Sequence, residues 1–213
     1  MNAGTQRALL APSTLVGVVL VLVAGTTFTG CRASSPWLDG EQQLVTSDRD
    51  DFDIVLRNTP QSSVLRLRAR EVPKGLPLEL IAHRMVNTMN RAEGVGLAGP
   101  QVGLSLRVAT ILLNCRSETP RTVFAVNPVI VARSDATALG PESCLSIPDV
   151  RAEVRRHTWI RVEYTDLDGE RVQEEAHGLD AVIWQHEIDH LDGVLFIDRI
   201  PTIPEKIRAS STP

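Results

Sequence analysis

The chain has 213 residues and a formal net charge of −4, enough for one domain with a sizeable core and without the basic surplus that draws a protein to nucleic acid. Apolar residues make up 43% and aromatics only 4%, which excludes disordered and fibrous classes and implies a mainly aliphatic core. Three cysteines, Cys31, Cys115 and Cys144, are too few and odd in number to form a disulfide framework.

At the N-terminus, Met1 to Pro12 carries one basic residue, Arg7, and no acid, and Leu15 to Ala24 is an unbroken apolar run. A membrane span needs about 20 apolar residues, so this run has the length of a signal-peptide core. Gly30-Cys31 lies downstream of it and resembles the processing site of a bacterial lipoprotein signal, with Phe28 where Leu is usual. The resemblance implies cleavage before Cys31, lipidation of Cys31, membrane association through the N-terminus and a place in the cell envelope. An unused extension would instead leave the chain in the cytoplasm. The expected organisation is a signal segment over 1–31, a polar flexible linker over 32–51, a folded domain over 52–205 and a tail over 206–213.

Phe52 to Leu56 opens the folded part, Asn58-Thr59-Pro60 is a turn, and Val64 to Val72 reads as irregular. Ile81, Met85 and Met89 repeat every four residues behind Pro77, so 77–91 is expected to be an amphipathic helix, with His83 off its apolar stripe and exposed. Gly94, Gly96 and Gly99 then end the helix and make a bare-backbone wall for a small ligand, with the Gln101 amide beside it as a donor. Leu106 to Leu113 and Thr122 to Val131 are β-branched and read as strands, with Cys115 a semi-buried hydrophobe and Asn127-Pro128 marking an edge or a bulge. Val154, Ile160, Val162 and Tyr164 share one parity, predicting a single long half-buried strand from Val154 to Tyr164. Asp166-Leu167-Asp168-Gly169 turns it back into Arg171 to Ala176 as a hairpin. His157 and His177 are expected at the surface, and Leu195 to Ile200 as a strand.

The stretch from Leu179 to Leu191 places Leu179, Val182, Ile183, His186 and His190 at helical spacing, with Asp192-Gly193 as the stop. His186 and His190, four apart, lie on one helix face and reach a single metal ion. Glu187 beside them is placed to act as general base on a water at that metal. The chain beyond this helix contains no third histidine, so the third ligand lies elsewhere. Cys144, flanked by Glu142, Ser143 and Ser146 rather than by core residues, reads as a metal thiolate, and one Cys with two His is an accepted catalytic set. The overall order predicts an α+β fold with mostly antiparallel sheets wrapped around a central metal-binding helix. Residues alone leave open a metallopeptidase and a non-catalytic metal-binding envelope protein.

Three stretches in this order, Gly94-Val95-Gly96-Leu97-Ala98-Gly99-Pro100-Gln101, Glu142-Ser143-Cys144-Leu145-Ser146 and Gln185-His186-Glu187-Ile188-Asp189-His190, resemble the signature motifs of the peptide deformylase family. The resemblance runs from about Ile54 to Ile200. It implies hydrolysis of the formyl group from N-formylmethionyl peptides or nascent chains, with release of formate. It implies that Cys144, His186 and His190 hold one divalent metal, Fe2+ by family, with Zn2+ and Ni2+ as alternatives. It further implies Glu187 as the base, Gln101 and the Leu145 backbone N–H as oxyanion donors, and Gly94, Val95 and Gly96 as substrate-binding wall. Two departures stand out. Ser143 replaces a usual Gly and would be strained if that position needed positive φ, and Gly99 replaces a usual Ala.

Overall fold

The computed structural model describes residues 35–200 apart from 36 and 39, so the expected signal segment with Cys31 and the expected tail over 206–213 lie outside the described residues. Among the described residues three α-helices, α1 Glu41–Val45, α2 Leu78–Arg91 and α3 Gly178–Leu191, accompany seven strands. These are β1 Gly96–Ala98, β2 Val108–Leu113, β3 Arg121–Arg133, β4 Thr137–Cys144, β5 Ile147–His157, β6 Trp159–Thr165 and β7 Arg171–His177. All strand pairs are antiparallel, giving a five-stranded sheet in the order β1-β2-β3-β6-β7 and a separate β4-β5 pair. Helix α3 packs on β1, β2, β6 and β7 of the large sheet and on β5 of the small one, as expected of a helix wrapped by sheets. Among the described residues no helix is long and apolar enough to cross a membrane.

Two aliphatic layers hold this arrangement. On one side of the large sheet Ile81, Met85 and Met89 of α2 pack with Leu97, Val108 and Val126, so the stripe predicted for this helix is its core face and His83 is exposed. On the other, Ala181, Trp184 and Ile188 of α3 pack with Ile111, Ile160, Val162 and Tyr164. Half-buried Cys115 packs at the rim of that layer. Buried aliphatic side chains of this size each contribute about 1.5–3 kcal/mol.

Several expectations change. The single strand from Val154 to Tyr164 is two strands in two sheets, β5 and β6. The chain crosses over at Thr158, whose N–H donates to the Ala136 carbonyl while its own carbonyl accepts from Gly178. Parity continues through the crossing, which is why the pattern conceals it. Thr137 to Cys144 is a strand hidden by its Gly-Pro pair, and it delivers Cys144 to the site. Leu195 to Ile200 contains a 3-10 turn at Phe196–Arg199 rather than a strand, because Asp198 folds back to accept the Leu195 N–H. Pro60–Arg66 is likewise a 3-10 turn, reaching into the stretch read as irregular. Asn127-Pro128 is a bulge in a central strand, not an edge. Asn127 has φ 53°, and its Oδ1 accepts the Val72 N–H at 2.9 Å. The Asp166–Gly169 hairpin forms as expected between β6 and β7.

Residues 40–51 of the stretch expected as a linker form, with Phe52, a strap bound to the domain. Glu41 of α1 is buried; it accepts the N–H of Ser105 at 2.9 Å and pairs with Arg70. Arg84 of α2, only 1% exposed, donates to the carbonyls of Leu44, Val45 and Asp51 at 2.6–2.8 Å and stacks over Phe52. A polar composition reads as a linker because these contacts are made by single charged residues, one of them on a distant helix.

Candidate active site

A cleft of about 400 Å3 opens between the Gly94–Gly96 stretch, the end of β4 and one face of α3. Leu179, Val182, Ile183 and His186 line it. The stripe that periodicity marks on α3 is thus the wall of the cleft. The opposite faces of the helix, with Ala181, Trp184, Ile188 and Leu191, are buried in turn, so α3 is covered on nearly all sides.

Cys144, at the end of β4, meets the helix here. The ligand atoms of Cys144, His186 and His190 all lie within 4.8 Å of one another, with Cys144 Sγ 3.2 Å from His190 Nε2. These three donors fit a metal ion. Burial pushes His190 well below its ordinary range, giving the neutral ring that a cation needs. His186 behaves oppositely. Burial would lower it, but Cys144 and Glu142 outweigh burial and raise it to about 10. The cluster therefore favours positive charge at its centre, and a divalent cation can supply that charge in place of a proton.

The residues that support these ligands carry no motif of their own in the sequence. Glu142 Oε2 lies 2.8 Å from His186 Nδ1, so Nδ1–H donates to it and Nε2 is left for the metal. Arg156 grips the same carboxylate through Nε at 2.7 Å and Nη2 at 3.0 Å, and donates through Nη1 to Asp189 at 2.5 Å. Arg199 closes the chain on Asp189. Burial would raise the Glu142 carboxyl, but His186 and Arg156 hold it down at about 2. One signal was available for Arg156: it occupies the inward parity of Val154 and Ile160, where a charge needs a buried partner.

Glu187 is 3% exposed, and its Oε2 has no hydrogen-bond partner among the described residues. Burial raises its carboxyl to about 7, in the range of a group that both takes and returns a proton near neutrality. Gly96 makes room for it. A Cβ at position 96 would lie 2.2 Å from Glu187 Oε1. Gln101 is fixed by the Ala98 N–H, which donates to its Oε1 at 2.8 Å. Its Nε2 then points to Cys144 Sγ at 3.5 Å and Ser146 Oγ at 3.4 Å. Leu145 occupies the turn between β4 and β5 and lines the cleft, as do Gly94 and Val95. The structure therefore brings Gly94, Val95, Gly96, Gln101, Cys144, Leu145, His186, Glu187 and His190 together. His157 and His177 stand apart from the three ligands; His177 is exposed, but His157 is half-buried with Nδ1 2.7 Å from the Ser134 carbonyl. Ser143 lies in the extended β4 opposite Arg151 and is not among the positive-φ residues, so the expected strain does not arise. Gly99 is constrained as well, since a Cβ there would approach the Leu106 carbonyl oxygen to 2.6 Å.

A family model described as polypeptide deformylase matches residues 53–206. The peptide deformylase of Mesorhizobium japonicum is 48% identical over 124 residues, covering 58% of this chain and 70% of that protein. Among solved structures, the peptide deformylase of Thermotoga maritima superposes with a TM-score of 0.65 at 39% identity, covering 72% of this chain and all of that one (100%). A class I type b peptide deformylase from Acinetobacter baumannii with Met-Ala-Ser bound has a TM-score of 0.63 at 37% identity, covering 70% of this chain and 98% of that one.

Proposed function

The chain belongs to the polypeptide deformylase family, and from that premise we propose how its own residues carry the family's reaction, the metal-dependent removal of the N-formyl group from nascent peptides. The observation that carries the assignment of roles is the orphaned, buried Glu187 Oε2 beside a Cys-His-His donor set.

Cys144, His186 and His190 would hold the metal, whose chemistry when bound is to acidify a water and polarise the formyl oxygen. Glu187 accepts the proton of the attacking water at its carboxylate and returns a proton to the departing amine nitrogen, so that the C–N bond breaks to formate and a free N-terminus. Gln101 Nε2–H and the Leu145 backbone N–H donate to the oxygen that gains negative charge, each worth roughly 3–4 kcal/mol. Gly94, Val95 and Gly96 form the wall against the formyl group, tight enough for hydrogen and too tight for a methyl. The substrate class is formylmethionyl peptides, in keeping with the Met-Ala-Ser complex of the Acinetobacter baumannii relative.

By family the metal is Fe2+, with Zn2+ and Ni2+ as ions the S/N set also accepts. The lipoprotein-like N-terminus supports an envelope location with Cys31 as lipid anchor. In that setting Fe2+ beside a thiolate is exposed to oxidation, and Zn2+ is expected more often than in a cytosolic relative. Formate release from formyl-Met-Ala-Ser, measured with the full chain loaded in turn with Fe2+, Ni2+ and Zn2+, tests the function. Metal bound without formate under any of the three would overturn it. Labelling cells with a radioactive fatty acid tests the lipid anchor: label that is lost in Cys31→Ala is expected, and an unlabelled parent would overturn Cys31 as its site. Elemental analysis of protein from its native membrane fraction tests the metal, and iron alone would overturn zinc.

A further inference from the structure

A second cavity, of about 240 Å3, lies behind α3, between the far half of β3 and the start of the β5–β6 crossing. It shares no lining residue with the deformylase cleft. Four arginines line it, Arg133, Arg155, Arg156 and Arg199, with Asp189 the one acid on the lining, and Arg156 is also paired with Glu142. In a chain of net charge −4 this is a local reversal of sign.

The one acid is already satisfied. Asp189 Oδ2 accepts from Arg156 and Arg199, and Oδ1 from Arg199. Arg133 and Arg155 form no ion pair among the described residues; Arg155 reaches only Thr137 Oγ1, at 3.5 Å. Ile130, Val131 and Ala132 supply the apolar part of the wall. Guanidinium groups are planar, permanently charged and fork-shaped, and they match a tetrahedral oxyanion with paired N–H donors.

We propose that this cavity is an anion site, and that it takes a small phosphate dianion, inorganic or carried as a monoester. Arg133 and Arg155 at its rim provide the uncompensated charge, while Arg156 and Arg199 are held in place by Asp189. The floor is coupled to the catalytic cleft through one residue. Arg156, which lines the cavity, also grips Glu142, the carboxylate that orients His186. An anion bound here therefore shares a donor with the support of a metal ligand.

The test is thermal unfolding of the full chain in inorganic phosphate, against sodium chloride at matched ionic strength. Saturating phosphate should raise the midpoint by about 3–5 °C, and the rise should disappear in the Arg133→Ala, Arg155→Ala double variant. Both residues are on strand surfaces, so the variant keeps its fold, as circular dichroism would check. An equal rise in chloride, or an undiminished rise in the double variant, would overturn the site. Vesicles of phosphatidylglycerol form a second arm. Arginine-dependent binding to vesicles, without a shift in free phosphate, would overturn the small ligand and assign the cavity to lipid headgroups. Neither readout uses the deformylase reaction, so failure here is separable from failure of the proposed activity.

Discussion

At the scale of single residues the proposed chemistry rests on Glu187 and Gln101. Removing the Glu187 carboxylate should leave the metal donors intact, because the ligand atoms belong to other residues. Glu187→Ala is expected to keep its metal by elemental analysis while kcat for formate release falls about 10²–10⁴-fold, the usual contribution of a positioned base. An Ala variant as active as the parent would remove Glu187 from its role. Gln101→Leu should lower kcat about 100-fold with little change in KM, since its amide serves charge that appears only in the transition state. His186 and His190, with Glu187 between them, are legible in sequence because metal chemistry fixes both residue type and spacing, whereas Cys144 is legible only beside a histidine pair that lacks a third ligand. Gly96 as a seat for Glu187 is not legible there, since that contact joins two stretches 91 positions apart in the chain.

At the scale of elements, β4 and β5 act as the support of α3. Their charged chain from His186 through Glu142 and Arg156 to Asp189 is buried, so each member depends on the next. Glu142→Gln should weaken metal binding about 10–100-fold, read from competition with a chelator. The same carboxylate predicts an acid dependence. Its pKa near 2 in the fold lies below the ordinary 4.5, so its ionised form stabilises the protein at every pH above about 4.5. That contribution, of the order of 3 kcal/mol at most, drains away as pH falls from 4.5 toward 2. Urea unfolding of the parent and Glu142→Gln should therefore converge over that window, and a constant gap would contradict it. Helices α2 and α3 are readable from apolar spacing, and β2, β3 and the β6–β7 hairpin from β-branched runs. The β4 strand is not, although it pairs with the very next strand, because Gly140-Pro141 in its middle gives it the composition of a turn. The face of α3 misleads for a related reason: an apolar stripe looks the same whether it meets a core or a ligand.

At the scale of the whole molecule, the folded body is larger than the family match. That match begins at residue 53, yet the strap from 40 to 52 is held to α2 and to the loop after Gln101 by buried charges. A Cβ added at Gly103, which ends the Gln101 turn, would lie 3.3 Å from Leu44 Cδ2 of the strap. Arg84→Ala should cost about 2–4 kcal/mol in urea unfolding, because three carbonyls lose a charged donor. A loss below about 0.5 kcal/mol would mean that the strap is a passenger.

The seating of Glu187 on Gly96 also ties together two codons that lie far apart in the gene. While Glu187 is present, a side chain at 96 must displace its carboxylate. Once Glu187 is lost, position 96 is released to drift. A double-mutant cycle exposes this: Gly96→Ala should be costly in the parent and nearly neutral in the Glu187→Ala background.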